Sequence, residues 1–330
     1  MEQQNGAEKA EEPGSTGPRS ADLTDEEIRA LIGELSRRLA KSLNSSLLCL
    51  FFPDQSVLSK EHAVTVYDLF RENGSVDDLA LFLHSEGGDI ASAYDIISLC
   101  RHYAKGRIIA LVPQWAMSAA TLIALGADEL IISKIGKLGP LDPVVNHPKH
   151  GWIPVRAITD IPRVLAQDLH QFQGSGGELP PDRMIAIKAE AIIRPMAQQA
   201  DPYIHAAFAL TPEVAKKYGE KVLAAKKVSR EKCAKCLDYL IHAYPIHGFE
   251  LDARELKENP TFKDVVKVSE PSKAVEDHMM DLLKTFLLLE EKHRQDGEGL
   301  QRPLIELIPL RKAGARSAKS SGSPRKKIAR

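Results

Sequence analysis

The sequence predicts an α/β fold with a mostly parallel sheet and a C-terminal helical extension, and three observations lead there. Short apolar, β-rich runs recur without polar alternation, helical segments lie between them, and after Pro143 a Pro-, Gly- and His-rich stretch gives way to helices. Continuous apolar runs suit strands covered on both faces, as in parallel sheets. Strand and helix in alternation are the mark of βαβ units.

In chain order, residues 1–22 are polar and read as a disordered tail. Thr24 then offers an N-cap, with acids in the following turn and apolar residues at helical spacing, so a first helix is expected over about 25–43. Strands are expected at 46–52, 79–84, 107–113 and 129–133, with helices at 62–73, 89–105 and 116–126 between them. Beyond the 144–182 stretch, helices are expected at about 183–210, 211–226 and 229–243, a helical arm suited to capping or assembly. A last helix is expected over 273–295, followed by the apolar LIELIPL segment. The domain reading is a core unit over 23–256, centred on 45–145, a helical segment over 257–310 and a tail over 311–330.

Composition narrows the function classes. Hydrophobic residues make up 43% and charged residues 27%, which fits a globular α/β enzyme. The net charge of −1 conceals a final stretch, 311–330, with eight Lys or Arg and no acid. Such a segment cannot bury enough apolar surface to order itself and reads as a solvated tail. Contact with nucleic acid is not expected except through that tail. The N-terminal stretch lacks a signal-peptide apolar core and no apolar run reaches membrane-spanning length, so a cytoplasmic protein without a membrane span is expected. The four cysteines, Cys49, Cys100, Cys233 and Cys236, are too few and too scattered for a disulfide scaffold and read as reduced thiols. Cys233 and Cys236 lack a second pair and read as a packing seam rather than a metal half-site. No metal or cofactor is expected, and no phosphate-binding loop of the Walker type occurs.

Two features sit at predicted strand ends, where α/β folds place ligand sites. In LHSEGGDI, Gly87 and Gly88 close a strand and open a helix; adjacent glycines allow a sharp turn that aims an N–H at a ligand oxygen. In VPQWAMSAATLIALGADELI, Ser118 falls in the first turn of a small-residue helix directly after an apolar strand. Together they supply backbone donors and an oxygen nucleophile, the parts that acyl transfer needs.

The ordered run Ser85-Glu86-Gly87-Gly88, Met117-Ser118-Ala119-Ala120-Thr121 and Gly139-Pro140-Leu141-Asp142-Pro143 resembles the serine dehydrogenase proteinase family, Clp/crotonase-fold serine peptidases related to signal peptide peptidase A and the Clp proteolytic subunit. The resemblance covers about 45–145, with a fainter echo to about 256. It implies a Clp/crotonase-like core of repeated β-β-α and βαβ units. It also implies Ser118 as nucleophile, the backbone N–H groups of Gly88 and Ala119 as oxyanion hole, Gly87 as a supporting turn residue, a polypeptide or peptide substrate and a homo-oligomer. Two departures stand out: Glu86 occupies the place where the related turn has Pro, and Gln114-Trp115 replaces a His-Tyr pair.

The base is open among several residues. His247, in Ile246-His247-Gly248-Phe249-Glu250-Leu251, stands opposite a His-containing element of the family. A neutral imidazole there could accept the serine proton. His147 and His150 lie just beyond the Asp142 turn, and Lys188 is an alternative if burial lowers its pKa. Asp142 reads as a turn residue that bonds nearby backbone, with a part in a charge relay as the other reading. A serine peptidase is the expected function. The other readings are a catalytically silent, peptide-binding Clp-fold scaffold and an acyl-CoA enzyme of the crotonase type.

Overall fold

The computed structural model describes residues 23–147, 151–155, 190, 210–244, 246–297, 299–300 and 302–310. The expected tails and, apart from Glu190 and Leu210, the helix read over 183–210 lie outside the described residues.

The elements run α1 (Asp25–Leu43), β1 (Ser46–Phe51), α2 (Lys60–Asn73), β2 (Leu79–His84), α3 (Ile90–Tyr103), β3 (Ile108–Val112), β4 (Trp115–Ala116), α4 (Ala119–Leu125), β5 (Glu129–Ile132), β6 (Lys137–Leu138), and the hairpin β7 (Val144–His147) and β8 (Gly151–Pro154). They continue with α5 (Thr211–Ala225), α6 (Arg230–His242), β9 (Leu251–Asp252), α7 (Ala253–Glu258), α8 (Pro260–Lys263), β10 (Lys267–Ser269), α9 (Lys273–Gln295) and β11 (Leu304–Ile308). Helix α1 starts where the sequence places it: the Thr24 hydroxyl accepts the Glu27 N–H, and the Glu27 carboxylate accepts the Thr24 N–H in return.

The main sheet has the order β10-β5-β3-β2-β1-β11, parallel throughout except for the antiparallel β11. Both faces are covered, which explains the unalternating strands. Leu48, Leu50, Leu81, Leu83, Ala110 and Val112 point into one core with α2 to α6, whereas Leu47, Cys49, Phe51, Phe82 and Leu111 meet α1 and α9 in another. Burying each such large side chain stabilises the fold by about 1.5–3 kcal/mol. All four cysteines are buried free thiols.

Two expectations change. The 257–310 segment is not helical alone, because it also supplies both outer strands of the sheet, β10 beside β5 and β11 beside β1. The helix expected over 116–126 begins only at Ala119. Trp115 and Ala116 instead pair with Lys137 and Leu138, and Ala116 also bridges Ser85. Long-range pairing wins there over the helix propensity of alanine.

The second sheet is small and decides the site. It has the order β4-β6-β9, with β4 parallel to β6 and β9 antiparallel to β6. The C-terminal ends of β4 and β6 and the N-terminal end of β9 therefore lie at one edge.

Candidate active site

Three chain segments issue from that shared edge. Ser118 follows β4 directly, Asp142 lies in the turn after β6, and His247 lies in the loop that leads into β9. Residues spread over 130 positions of sequence are thereby hung from one small sheet.

Ser118 occupies a strand-to-helix turn with φ 50 and ψ −120, a left-handed conformation that non-glycine residues adopt at a cost of about 1–3 kcal/mol. The same arrangement in nucleophile elbows holds a serine Oγ clear of its own backbone. Ser118 is half-buried and its hydroxyl makes no capping bond to the helix that follows. Thr121, fully buried one helical turn on, holds the loop in place. Its hydroxyl lies 2.7 Å from the Ala116 carbonyl and 2.8 Å from that of Gly139, and it accepts the Gly139 N–H at 3.1 Å. One side chain thus ties the β4–α4 turn to the turn after β6.

The paired glycines meet this turn directly. Gly87 has φ 106, and a Cβ placed on it would sit 2.7 Å from the Met117 carbonyl oxygen, 2.9 Å from Ser118 Cβ and 3.1 Å from the Ala119 nitrogen. Gly88, at φ 139, packs as tightly on the other side, where an added Cβ would lie 2.5 Å from the Leu58 nitrogen. Only glycine satisfies both the dihedral angle and the clearance. Leu58 donates its N–H to the Gly87 carbonyl (2.7 Å) and accepts the Asp89 N–H (2.9 Å). In that parallel pattern the residue between the two bonds, Gly88, turns its own N–H away from Leu58. The Ala119 N–H is one of the orphan donors at a helix start. Neither N–H has a hydrogen-bond partner among the described residues.

Asp142 and His247, 105 positions apart, form a hydrogen bond between Nδ1 and Oδ1 at 2.9 Å. The Asp142 side chain is 4% exposed and that of His247 25% exposed, so the acid is enclosed and the imidazole reaches the surface of the site. A carboxylate has no proton to give, so Nδ1–H is the donor, and the neutral ring then carries its free lone pair on Nε2. No hydrogen bond joins Ser118 Oγ to His247 among the described residues. Bonds of this kind are often long in ligand-free enzymes and tighten with substrate present.

Of the other base candidates, Lys188 and His150 lie outside the described residues, and His147 lies in β7. Half-buried Lys226, not among the base candidates of the sequence, has its pKa lowered to about 8, chiefly by desolvation and then by Arg101. It donates to the carbonyls of Leu125 and Val265, at the opposite end of α4 from Ser118, and so ties elements together. Thr121 was also passed over, although its place beside the serine segment was the available signal. No group of three or more His, Cys, Asp or Glu is arranged to hold a metal among the described residues. No helix among them is long and apolar enough to cross a membrane.

Residues 53–161 match the family model described as ClpP-like SDH-type serine proteinase. Two uncharacterized proteins of Methanocaldococcus jannaschii are similar. One is 30% identical over 121 residues, covering 33% of this chain and 42% of the relative. The other is 40% identical over 65 residues, covering 20% and 22%. The chain thus spans less than half the length of the curated relatives it matches. Among solved structures, an alanine mutant of the 1510-N membrane-bound stomatin-specific protease aligns with TM-score 0.38 and 13% identity over 69% of this chain and 79% of its own. A ClpP1 mutant from Listeria monocytogenes aligns with TM-score 0.35 and 15% identity over 75% and 98%.

Proposed function

With a ClpP-like serine proteinase segment as the premise, we propose that this chain is a serine peptidase that cleaves polypeptides or peptides through an acyl-enzyme on Ser118. His247 Nε2 takes the Ser118 proton as Oγ attacks the scissile carbonyl. Asp142 holds the imidazole in the required tautomer and stabilises the imidazolium that forms. The oxyanion is met by the Gly88 and Ala119 N–H groups, each worth about 3 kcal/mol of barrier in sites of this kind. His247 then returns the proton to the leaving amine. Water, deprotonated by the same imidazole, releases the acid product and restores Ser118.

The observation that carries this reading is the convergence of Ser118, the Gly87–Gly88 turn and the Asp142–His247 pair at one edge of the β4-β6-β9 sheet. The test is reaction with a fluorophosphonate probe. Covalent labelling of the parent protein and none of Ser118→Ala is expected; equal labelling of both would refute the assignment.

Glu86, standing where the related turn has Pro, favours a second reading, a peptide-binding scaffold without chemistry. A folded parent protein that stays unlabelled would select it. The working form in the peptidase reading is a homo-oligomer, for which exposed Val57, Val64 and Tyr67 offer apolar surface. Light scattering on the purified protein decides the assembly state.

A further inference from the structure

The loop that carries His247 is open at its tip and clasped at its base. Ile246 is 61% exposed, and a Cβ on Gly248 would meet nothing within 4 Å among the described residues. The Phe249 N–H donates to the Ile246 carbonyl at 3.2 Å, so His247 and Gly248 form the middle of a tight turn. Order at such a tip has to come from its flanks. There the rings of Tyr244 and Phe249 stack with centroids 4.8 Å apart and planes 27° from parallel, closing the loop below His247.

Buried Tyr244 is in turn held by a carboxylate. Its hydroxyl and that of Tyr239 both donate to Glu255 Oε1, the latter at 3.1 Å, and the two tyrosine rings meet edge to face at 5.2 Å. Burial and then the bond to Glu255 push the Tyr244 phenol's pKa up, so it remains a donor. Glu255 is fixed independently of the loop: its N–H donates to Asp252 Oδ1 at 2.8 Å at the start of α7, directly after β9. Strand β9 pairs with β6, and the turn after β6 bears Asp142. Helix α6 links the same parts again, since Leu240, next to Tyr239, accepts the Leu141 N–H at 2.9 Å. Base and orienting acid therefore share one frame, and Glu255 joins the His247 loop to it. Charge-assisted bonds from two donors to one carboxylate oxygen fix such a junction more firmly than neutral ones.

We propose that Glu255, acting through Tyr239 and Tyr244, is a positioning residue that holds the His247 imidazole on Asp142. This rests on the serine-peptidase reading for its part in the chemistry, whereas the geometry it sets is measurable without any reaction. Misplacing a catalytic group by about 1 Å costs up to about 100-fold in rate.

The experiment uses full-length protein with Glu255→Leu, which removes the acceptor, and with Tyr244→Phe, which removes one donor and keeps the stacked ring. Fluorophosphonate labelling of Ser118 is expected to slow by about tenfold to 100-fold in Glu255→Leu, and by less in Tyr244→Phe. Glu255→Gln, which keeps an acceptor oxygen, should label faster than Glu255→Leu. Added to His247→Gln, Glu255→Leu should leave the residual rate almost unchanged, because its effect passes through that ring. A parent-like rate in both variants, or a further full fall in the His247→Gln background, overturns the proposal. NMR of the histidine ring nitrogens tests the same claim without chemistry. His247, identified by its loss in His247→Gln, is expected as the Nδ1–H tautomer in the parent protein and as a tautomer mixture in Glu255→Leu and Tyr244→Phe. Ring signals unchanged in both variants overturn the proposal as well. Labelling of the parent that neither variant slows sinks the positioning alone, and a tautomer change in a protein that never labels sinks the chemistry alone.

Discussion

Gly87 shows how a single position can carry the whole arrangement. A methyl group there meets the Met117 carbonyl at 2.7 Å, backbone that cannot swing aside, and the φ of 106 is itself strained for any L side chain. Gly87→Ala should therefore cost about 2–4 kcal/mol in urea unfolding and move the Ser118 turn enough to remove fluorophosphonate labelling. Loss of labelling with unchanged stability would mean that the clash is relieved locally. His84, two residues before Glu86, makes a pH-dependent prediction. It is 1% exposed, stacked between Phe51 and Trp115 with ring centroids 4.9 Å from each, and its Nδ1 has no hydrogen-bond partner among the described residues. Burial pushes its pKa from 6.5 down to about 4. The unfolded chain then binds a proton more readily than the fold between those values. His84's contribution to stability is full above about pH 6.5 and is lost as pH falls toward about 4, by up to about 3 kcal/mol. Denaturant midpoints at pH 7 and pH 5 should differ less in His84→Phe than in the parent protein; an equal difference would contradict this.

At the scale of elements, the site depends on two-residue strands that no periodicity can announce. The strands β1, β2, β3 and β5 were legible because both of their faces are buried, so apolar character alone marks them. Trp115–Ala116, Lys137–Leu138 and Leu251–Asp252 carry no such mark, and Ala116 falls within the helix expected over 116–126, a segment of small residues. The edge strand Lys267–Ser269 was missed for a similar reason, being short and exposed at its start. Thr121 binds these small elements together through carbonyls on both sides. Thr121→Val keeps the volume but leaves the Gly139 N–H unsatisfied in a buried place, and should destabilise the protein by about 1–3 kcal/mol. It should also slow labelling of Ser118, since the hydroxyl fixes the turn. A change within about 0.5 kcal/mol and an unaltered labelling rate would show that the turn holds without it.

Across the whole molecule, a three-layer α/β core supplies rigidity, and the C-terminal edges of its strands supply the loops that meet at Ser118. The glycine turn and the serine segment were readable because each lies within a short stretch whose residue types suit one chemistry. The partnership of Asp142 with His247 was not readable as geometry, because 105 positions separate the two and only the pairing of β6 with β9 closes the distance. From the sequence, Asp142 reads first as a turn residue, and His247 is the leading candidate base with Lys188 as the alternative. What joins these parts into one account is the claim that the Asp142-oriented imidazole acts on Ser118. The most direct test is the rate of fluorophosphonate labelling at Ser118, followed by mass spectrometry, in the parent protein and in His247→Gln. The account predicts a fall of about 100-fold or more, in the range that general-base catalysis contributes, with the fold retained; an undiminished rate in a folded His247→Gln protein would contradict it.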